Sequence, residues 1–279
     1  MIIKSWGSRG SIPVSGPEHI KYGGDTTCIQ ITAKSGDIII VDAGTGIRRL
    51  GNSLVEQKQS HYHLLFTHAH WDHLMGLPFF KPLFLDGTTI DVYRCPSPGK
   101  YAEQMITKVM TPPHFPIRYD DLKARITYKK GCPDRFTIGS VAVTPINLSH
   151  PGGGSGYKFT EDDKTFVFLT DNELGYVHEG GMTYADYMAF SRGADLLLHD
   201  AEYTPEEYDN QIDWGHSVYT DTLKLAMEAD VTTLGLFHLN QNRTDRQMDA
   251  IVDICQRIIE EQGSSLKCVA VDCNMSFEL

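Results

Sequence analysis

Thr67-His68-Ala69-His70-Trp71-Asp72-His73 packs three imidazoles and a carboxylate into a few consecutive residues. The apolar run His63-Leu64-Leu65-Phe66 precedes it and reads as a buried strand, so the candidate ligands fall where a strand ends and a loop begins. Side chains alternate along extended backbone, which points His68 and His70 the same way and lets both reach one cation. Asp72 and His73 follow a bend and need not face that ion; they can hold a second. Neutral imidazole and carboxylate suit zinc first, and also manganese or iron, because no thiolate is present to select a softer metal. The chain has 12 histidines, and three of them sit here. A metal site accounts for that grouping better than chance or a satisfied core does.

His68-x-His70-x-Asp72-His73 after a strand resembles the signature of the metallo-β-lactamase superfamily of hydrolases, and the resemblance extends over nearly the whole chain. It implies a four-layer αββα sandwich with a dinuclear metal site at one edge of its two sheets. On that pattern His68, His70 and His150 hold one ion, Asp72, His73 and His238 hold the other, and Asp171 bridges them. Each of these residues lies at the end of an apolar strand or just after one, as converging loops at a sheet edge require. Taken singly, His150, Asp171 and His238 read equally well as loop histidines or a capping aspartate. Beside the 68–73 cluster they read as ligands. Asp42, in Asp42-Ala43-Gly44-Thr45-Gly46, resembles the family's aspartate that braces the metal loop, though a cap for the helix expected at 47–57 fits the same placement.

Working outward, strands are expected at 2–6, 27–31, 37–41, 88–93, 136–138 and 141–148, and a hairpin at 156–159 with 164–170. Helices are expected at 47–57 and 101–110. Beyond residue 181 strand and helix alternate, with helices at 182–191, 217–229 and 245–262 and strands at 195–200, 232–237 and 267–272. That suits a layered α/β protein with helices covering the outer face of each sheet. The glycines of Pro151-Gly152-Gly153-Gly154, after His150, allow close approach of backbone to a metal or a bound anion. Thr111-Pro112-Pro113-His114-Phe115-Pro116 cannot be regular structure, because its prolines remove donors and fix φ. It reads as a lid or as a surface crossover, and Phe79, Phe80, His114 and Phe115 read as a pocket wall or as packing beneath it.

At 279 residues the chain suits a single domain, 1–279, whose core needs no disulfides. No apolar run approaches a membrane span, and no signal peptide is visible at the N-terminus. The six cysteines (Cys28, Cys95, Cys132, Cys255, Cys268 and Cys273) include no C-x-x-C pair and read as reduced thiols of a cytoplasmic protein. A formal net charge of −11 argues against a surface built for long nucleic acids. A small anion held by metals is easier to accommodate. A homodimer is compatible with the family resemblance.

Leu198-His199-Asp200-Ala201-Glu202-Tyr203 and Trp214-Gly215-His216-Ser217 are similar to the acidic motif and the later histidine motif of the superfamily's phosphodiesterase branch, which includes the enzyme that trims precursor tRNA at its 3′ side. By that likeness Asp200 orients His216, and His216 is the general acid for a leaving alkoxide or steadies a phosphoryl oxygen. Asp72 joins them among the catalytic residues. His216 as a cap for the following helix is the competing reading. The true zinc β-lactamases of the superfamily place a cysteine in the region of Asp171, and the flavin-linked diiron members carry glutamate where this chain has His70, so neither activity is expected. No long basic arm for tRNA is present, Leu239 stands where many relatives have a second histidine, and Arg9 and Arg243 are each open to a phosphate or to solvent. Trp6-Gly7-Ser8-Arg9-Gly10-Ser11-Ile12-Pro13 and Tyr22-Gly23-Gly24-Asp25-Thr26-Thr27-Cys28 are similar to small bacterial-type phosphodiesterases that open cyclic phosphates. The expectation is therefore a dinuclear metallohydrolase for a small or cyclic phosphodiester. An RNA 3′-end nuclease, a lactone or thioester hydrolase, and a metal-stabilised binding module stand as alternatives in that order.

Overall fold

The strand Ile38–Val41 is buried at every position, which a strand achieves only when both faces of its sheet are covered. Ile38 and Ile40 pack with the first helix, while Ile39 and Val41 pack into the space between two sheets. The same alternation recurs at Lys164–Leu169, where Phe166 and Phe168 face between the sheets and Val167 and Leu169 face a second layer of helices. Three apolar clusters therefore separate four layers, helix, sheet, sheet and helix, as the family resemblance implies. Full burial of a Phe or Leu side chain contributes about 1.5 to 3 kcal/mol, so these stacked rows dominate the favourable energy.

The computed structural model describes residues 1–93, 101–113, 115–129 and 133–279. His114, Cys95 and Cys132 lie outside the described residues. The elements in chain order are β1 (Ile2–Gly7), β2 (Cys28–Thr32), β3 (Ile38–Val41), α1 (Ile47–Glu56), β4 (His61–Leu65), β5 (Thr89–Tyr93), α2 (Tyr101–Val109), β6 (Arg125–Tyr128), β7 (Phe136–Ile138), β8 (Val141–Asn147), β9 (Ser155–Glu161), β10 (Lys164–Leu169), α3 (Tyr184–Ser191), β11 (Leu196–Asp200), α4 (Pro205–Tyr208), α5 (Tyr219–Glu228), β12 (Thr233–Phe237), α6 (Asp245–Glu261), β13 (Lys267–Ala270) and β14 (Ser276–Glu278). One sheet has the order β14-β1-β2-β3-β4-β5-β6 and the other β13-β12-β11-β10-β9-β8-β7.

Helix α6 shows how sequence makes the outer layer. Thr244 and Gln247 form a reciprocal capping box at its start, and Met248, Ile251, Cys255 and Ile259 recur at helical spacing to bury one face. No helix among the described residues is long and apolar enough to cross a membrane.

Several expectations need correction. β6 and β14 were not expected: β6 alternates between exposed and half-buried residues and lacks an apolar run, and β14 is only three residues long. β14 pairs antiparallel with β1. Of the two readings open for Phe80, packing is the one found: it is fully buried and meets Tyr62 edge-on at 5.7 Å. Its neighbour Phe79 is 57% exposed, with Phe115 edge-on at 5.7 Å. Gly152 and Gly153 turn the loop after His150 with positive φ of 80° and 76°, a conformation that favours glycine.

Candidate metal centre

β3 runs parallel to β4, and β10, β11 and β12 run parallel to one another. β8 is antiparallel to β9, which is antiparallel to β10, so β8 shares the direction of β10. The loops that leave these strands consequently open at one edge of both sheets: 68–73 after β4, His150 after β8, Asp171 after β10, Asp200 at the end of β11 and His238 after β12. Asp42, Asp171 and His238 turn the chain there with φ of 64°, 49° and 54°, a left-handed conformation that non-glycine residues adopt at a cost.

Two groups form. His68, His70, His150 and Asp171 present ligating atoms that all lie within 4.8 Å of one another, and so do Asp72, His73, Asp171 and His238. Asp171 belongs to both. Nε2 of His150 is 2.9 Å from Nδ1 of His70, and Nε2 of His68 is 3.5 Å from Oδ2 of Asp171. In the second group, Nε2 of His73 is 3.2 Å from Oδ2 of Asp72 and 3.2 Å from Oδ1 of Asp171. Nε2 of His238 is 3.3 Å from Oδ2 of both aspartates. All seven residues proposed from sequence as ligands are thus brought together.

The site fits divalent cations on its own chemistry. Nε2 of His68 and Nε2 of His73 are buried and have no hydrogen-bond partner, a costly arrangement that a cation relieves. The opposite ring nitrogens are held from behind. His73 Nδ1 donates to Asp42 at 2.8 Å, His150 Nδ1 donates to the Gly215 carbonyl at 2.8 Å, and His238 Nδ1 donates to Glu202 at 2.8 Å. Such partners set the tautomer and aim the lone pair at the metal. Asp42 also accepts from the Thr67 N–H at 2.8 Å and the Thr67 hydroxyl at 2.7 Å, and α1 has no side-chain cap, so the capping reading of Asp42 falls away.

Acting alone, the protein groups polarise the site strongly. Burial, helped by the neighbouring imidazoles of His216 and His70, pushes His150 down to about 3 against the pull of Asp171. Burial would raise the Asp171 carboxyl, but His238, His73 and His68 outweigh it and hold it well below the usual range.

His216 stands beside the second group, its ring stacked on His238 at 4.5 Å between centroids. Its Nδ1 is 2.6 Å from Oδ2 of Asp200 and 3.5 Å from Oε2 of Glu202. Burial alone would depress His216, yet the Asp200 and Glu202 carboxylates outweigh it and raise its pKa to about 9. α5 begins at Tyr219 behind Val218, so His216 caps no helix. The other oxygen of Asp200 accepts from the N–H groups of Glu202 and Ser217, both at 3.1 Å.

Two residues matter here that sequence reasoning passed over. Glu202 lies in the acidic motif, where nothing local assigns it a role; its carboxylate holds His238 and also accepts from Asn240 at 3.1 Å. Buried Glu173 accepts from Tyr208, the N–H groups of Asp213 and Gly215, and His178, and so ties down the loop that carries His216. Glu173 follows Asp171 by two residues, the one signal available for it. Arg9 is corrected: it is fully buried and donates to the carbonyls of Gly23, Asn240 and Arg243, with no face left for a phosphate. Arg243 is engaged by Glu207 at 2.5 and 2.9 Å. A cavity of about 450 Å³ opens beside His216, with Ser11, Tyr203, Gln211, Trp214 and Asn240 in its wall.

The sequence profile of the β-lactamase superfamily domain matches residues 38–239. Ribonuclease Z of Gemmatimonas aurantiaca is 24% identical over 294 aligned positions, covering 86% of this chain and 90% of that one. Among solved structures, the metallo-β-lactamase fold protein YhfI of Bacillus subtilis superposes with a TM-score of 0.71 at 18% identity, over 100% of this chain and 99% of that one. A diphosphatase of the PhnP family gives 0.67 at 15% identity, over 100% and 97%. The two structural likenesses establish the shared fold.

Proposed function

The chain belongs to the β-lactamase superfamily, and on that premise we propose that it is a metal-dependent phosphodiesterase with a dinuclear centre, acting on a small or cyclic phosphodiester of the cyclic nucleotide or phosphoribosyl cyclic phosphate type. The observation that carries the reading is the 2.6 Å pair of His216 and Asp200 beside the metal ligands. A diester expels an alkoxide, which leaves poorly without a proton. The Asp200 and Glu202 carboxylates favour the protonated form of His216, and Asp200 at Nδ1 fixes its ring so that Nε2 is the atom that gives the proton.

His68, His70 and His150 would hold one divalent ion and Asp72, His73 and His238 the other, with Asp171 shared; zinc suits the set first, then manganese or iron. When bound, such ions supply Lewis acidity toward a phosphoryl oxygen and make water more acidic. Asp72 counts among the catalytic residues through the second ion: its Oδ2 lies 3.2 Å from Nε2 of His73 and 3.3 Å from Nε2 of His238 and accepts from the Ser11 N–H at 2.9 Å, so it would hold that ion in place. A small substrate is supported by the net charge of −11, by the burial of Arg9 among backbone carbonyls, and by a cavity of nucleotide size in whose wall Arg243 is paired with Glu207. Four buried free cysteines suit a reducing compartment, so a cytoplasmic location accompanies the reading. A homodimer is part of it too, to be measured by light scattering.

Processing of RNA 3′ ends is the second reading, favoured by the relatives named ribonuclease Z. Incubating the metal-loaded protein with cyclic and linear diesters, precursor tRNA, lactones and thioesters decides among them. Opening of a cyclic phosphate that is lost in His216→Ala while the metals stay bound supports the proposal. Preferred cleavage of precursor tRNA moves the assignment to RNA, and turnover confined to lactones or thioesters removes the phosphodiesterase reading.

A further inference from the structure

His61 and His63 stand two residues apart on β4, so both rings leave the same face of the sheet, 4.6 Å apart between centroids. The parallel neighbours bring carboxylates to that face. Asp91 on β5 is the register partner of His63, and Asp37 lies two residues before Ile39 of β3, which is the partner of His63 on the other side. Nε2 of His63 is 3.3 Å from Oδ1 of Asp37, and Nε2 of His61 is 3.3 Å from Oδ2 of Asp91. One ligating atom from each of Asp37, His61 and His63 lies within 4.8 Å of the others. None of these residues belongs to that centre. His61 and His63 occupy the start of β4 and Asp37 precedes β3, whereas the far end of β4 leads to His68.

The surroundings favour a cation. His63 is buried and His61 is 50% exposed, so the group has a fixed wall and an open side. Nδ1 of His63 lies 3.1 Å from the Tyr93 hydroxyl; when it donates there, Nε2 keeps its lone pair toward Asp37, the arrangement of a ligating histidine with its partner behind it. Burial depresses the His63 imidazole, which keeps it neutral, and the Ser35 hydroxyl holds the Asp37 carboxyl low, which keeps it ionised. Both are the forms that bind metal. Lys129 pairs with Asp91 at 2.9 Å, so Asp91 is left to orient His61 and is not counted as a ligand.

We propose that Asp37, His61 and His63 form an additional metal site, separate from the main centre, that takes zinc through two imidazoles and a carboxylate and ties β3 to β4. Water would complete its coordination, as is usual where the protein supplies three ligands.

The test counts ions. Zinc-loaded protein is dialysed to equilibrium against buffered free zinc, and bound zinc per chain is measured for the wild type, His61→Asn and His63→Gln. The wild type is expected to hold one ion more than either variant, and that ion should leave first as free zinc is lowered, since it has three ligands and an open side. His61→Asn changes a half-exposed side chain, and an unchanged circular dichroism spectrum shows that its fold is kept. An equal count in the wild type and His61→Asn overturns the proposal. Loss of more than one ion in that variant overturns the separation from the main centre.

Discussion

Oε2 of Glu202 lies 2.8 Å from Nδ1 of His238, on the side of the ring opposite the nitrogen that faces Asp72 and Asp171. A neutral histidine can offer a lone pair on one nitrogen only, so the carboxylate decides that Nε2 is the ligating atom. Partners of this kind typically change metal affinity or activity by 10 to 100-fold when removed. Glu202→Ala is expected to weaken metal binding by about that factor, with Glu202→Gln milder because its amide oxygen still accepts. Metal titration followed by mass spectrometry reads the difference, and unchanged affinity in both variants would show that His238 is oriented by something else.

Asp42 is fully buried and satisfies three donors, from His73 and from the backbone and hydroxyl of Thr67. Removing one partner of a buried charged network costs about 3 to 5 kcal/mol. Asp42→Ala should therefore unfold at markedly lower urea than the wild type and should retain less metal. Full stability in that variant would contradict the bracing role.

Proton donation matters most when the leaving group is poor. His216→Ala is expected to slow hydrolysis of alkyl diesters by about 10² to 10⁴-fold, within the usual range for general acid catalysis. The loss for a p-nitrophenyl diester should be far smaller, because that anion leaves unaided. Asp200→Asn should follow the same pattern more weakly. Equal losses on both substrate types would point to a binding role for His216.

A Cβ placed on Gly215 would lie 2.1 Å from Nδ1 of His150, and the backbone there has φ of 92°. Gly215→Ala must therefore displace the histidine or the loop. It is expected to lose metal from the group containing His68 and His70 and to cost about 1 to 3 kcal/mol through backbone strain. Differential scanning calorimetry with a metal count checks both parts.

Chelation gives the broadest check. An ion held at about 1,000 times its dissociation constant stabilises the native state by about 4 kcal/mol. Treatment with a chelator should lower the melting temperature, and added zinc should restore it. A melting temperature indifferent to both would contradict the ligand assignment as a whole.

The sequence by itself determined most of the elements and the ligand-bearing loops, because both are local. Apolar runs of three or four residues mark β3, β4, β10 and β12, and the 68–73 cluster writes four candidate ligands within one turn of chain. His150, Asp171 and His238 were legible as strand-end residues, but only likeness to a family joined them to that cluster. Tertiary structure decided the rest. Phe79 and Phe80 are adjacent and chemically identical, yet one faces solvent and the other fills the space against Tyr62. Arg9 lies in a glycine-rich segment that looks ready for a phosphate, and packing instead surrounds it with backbone carbonyls. Glu202 reaches His238 across 36 residues, and Glu173 reaches Gly215 across 42. Asp37, His61 and His63 meet because β3 and β4 lie side by side in register. A side chain's partner and burial depend on which distant strand ends share an edge, and no local pattern carries that information.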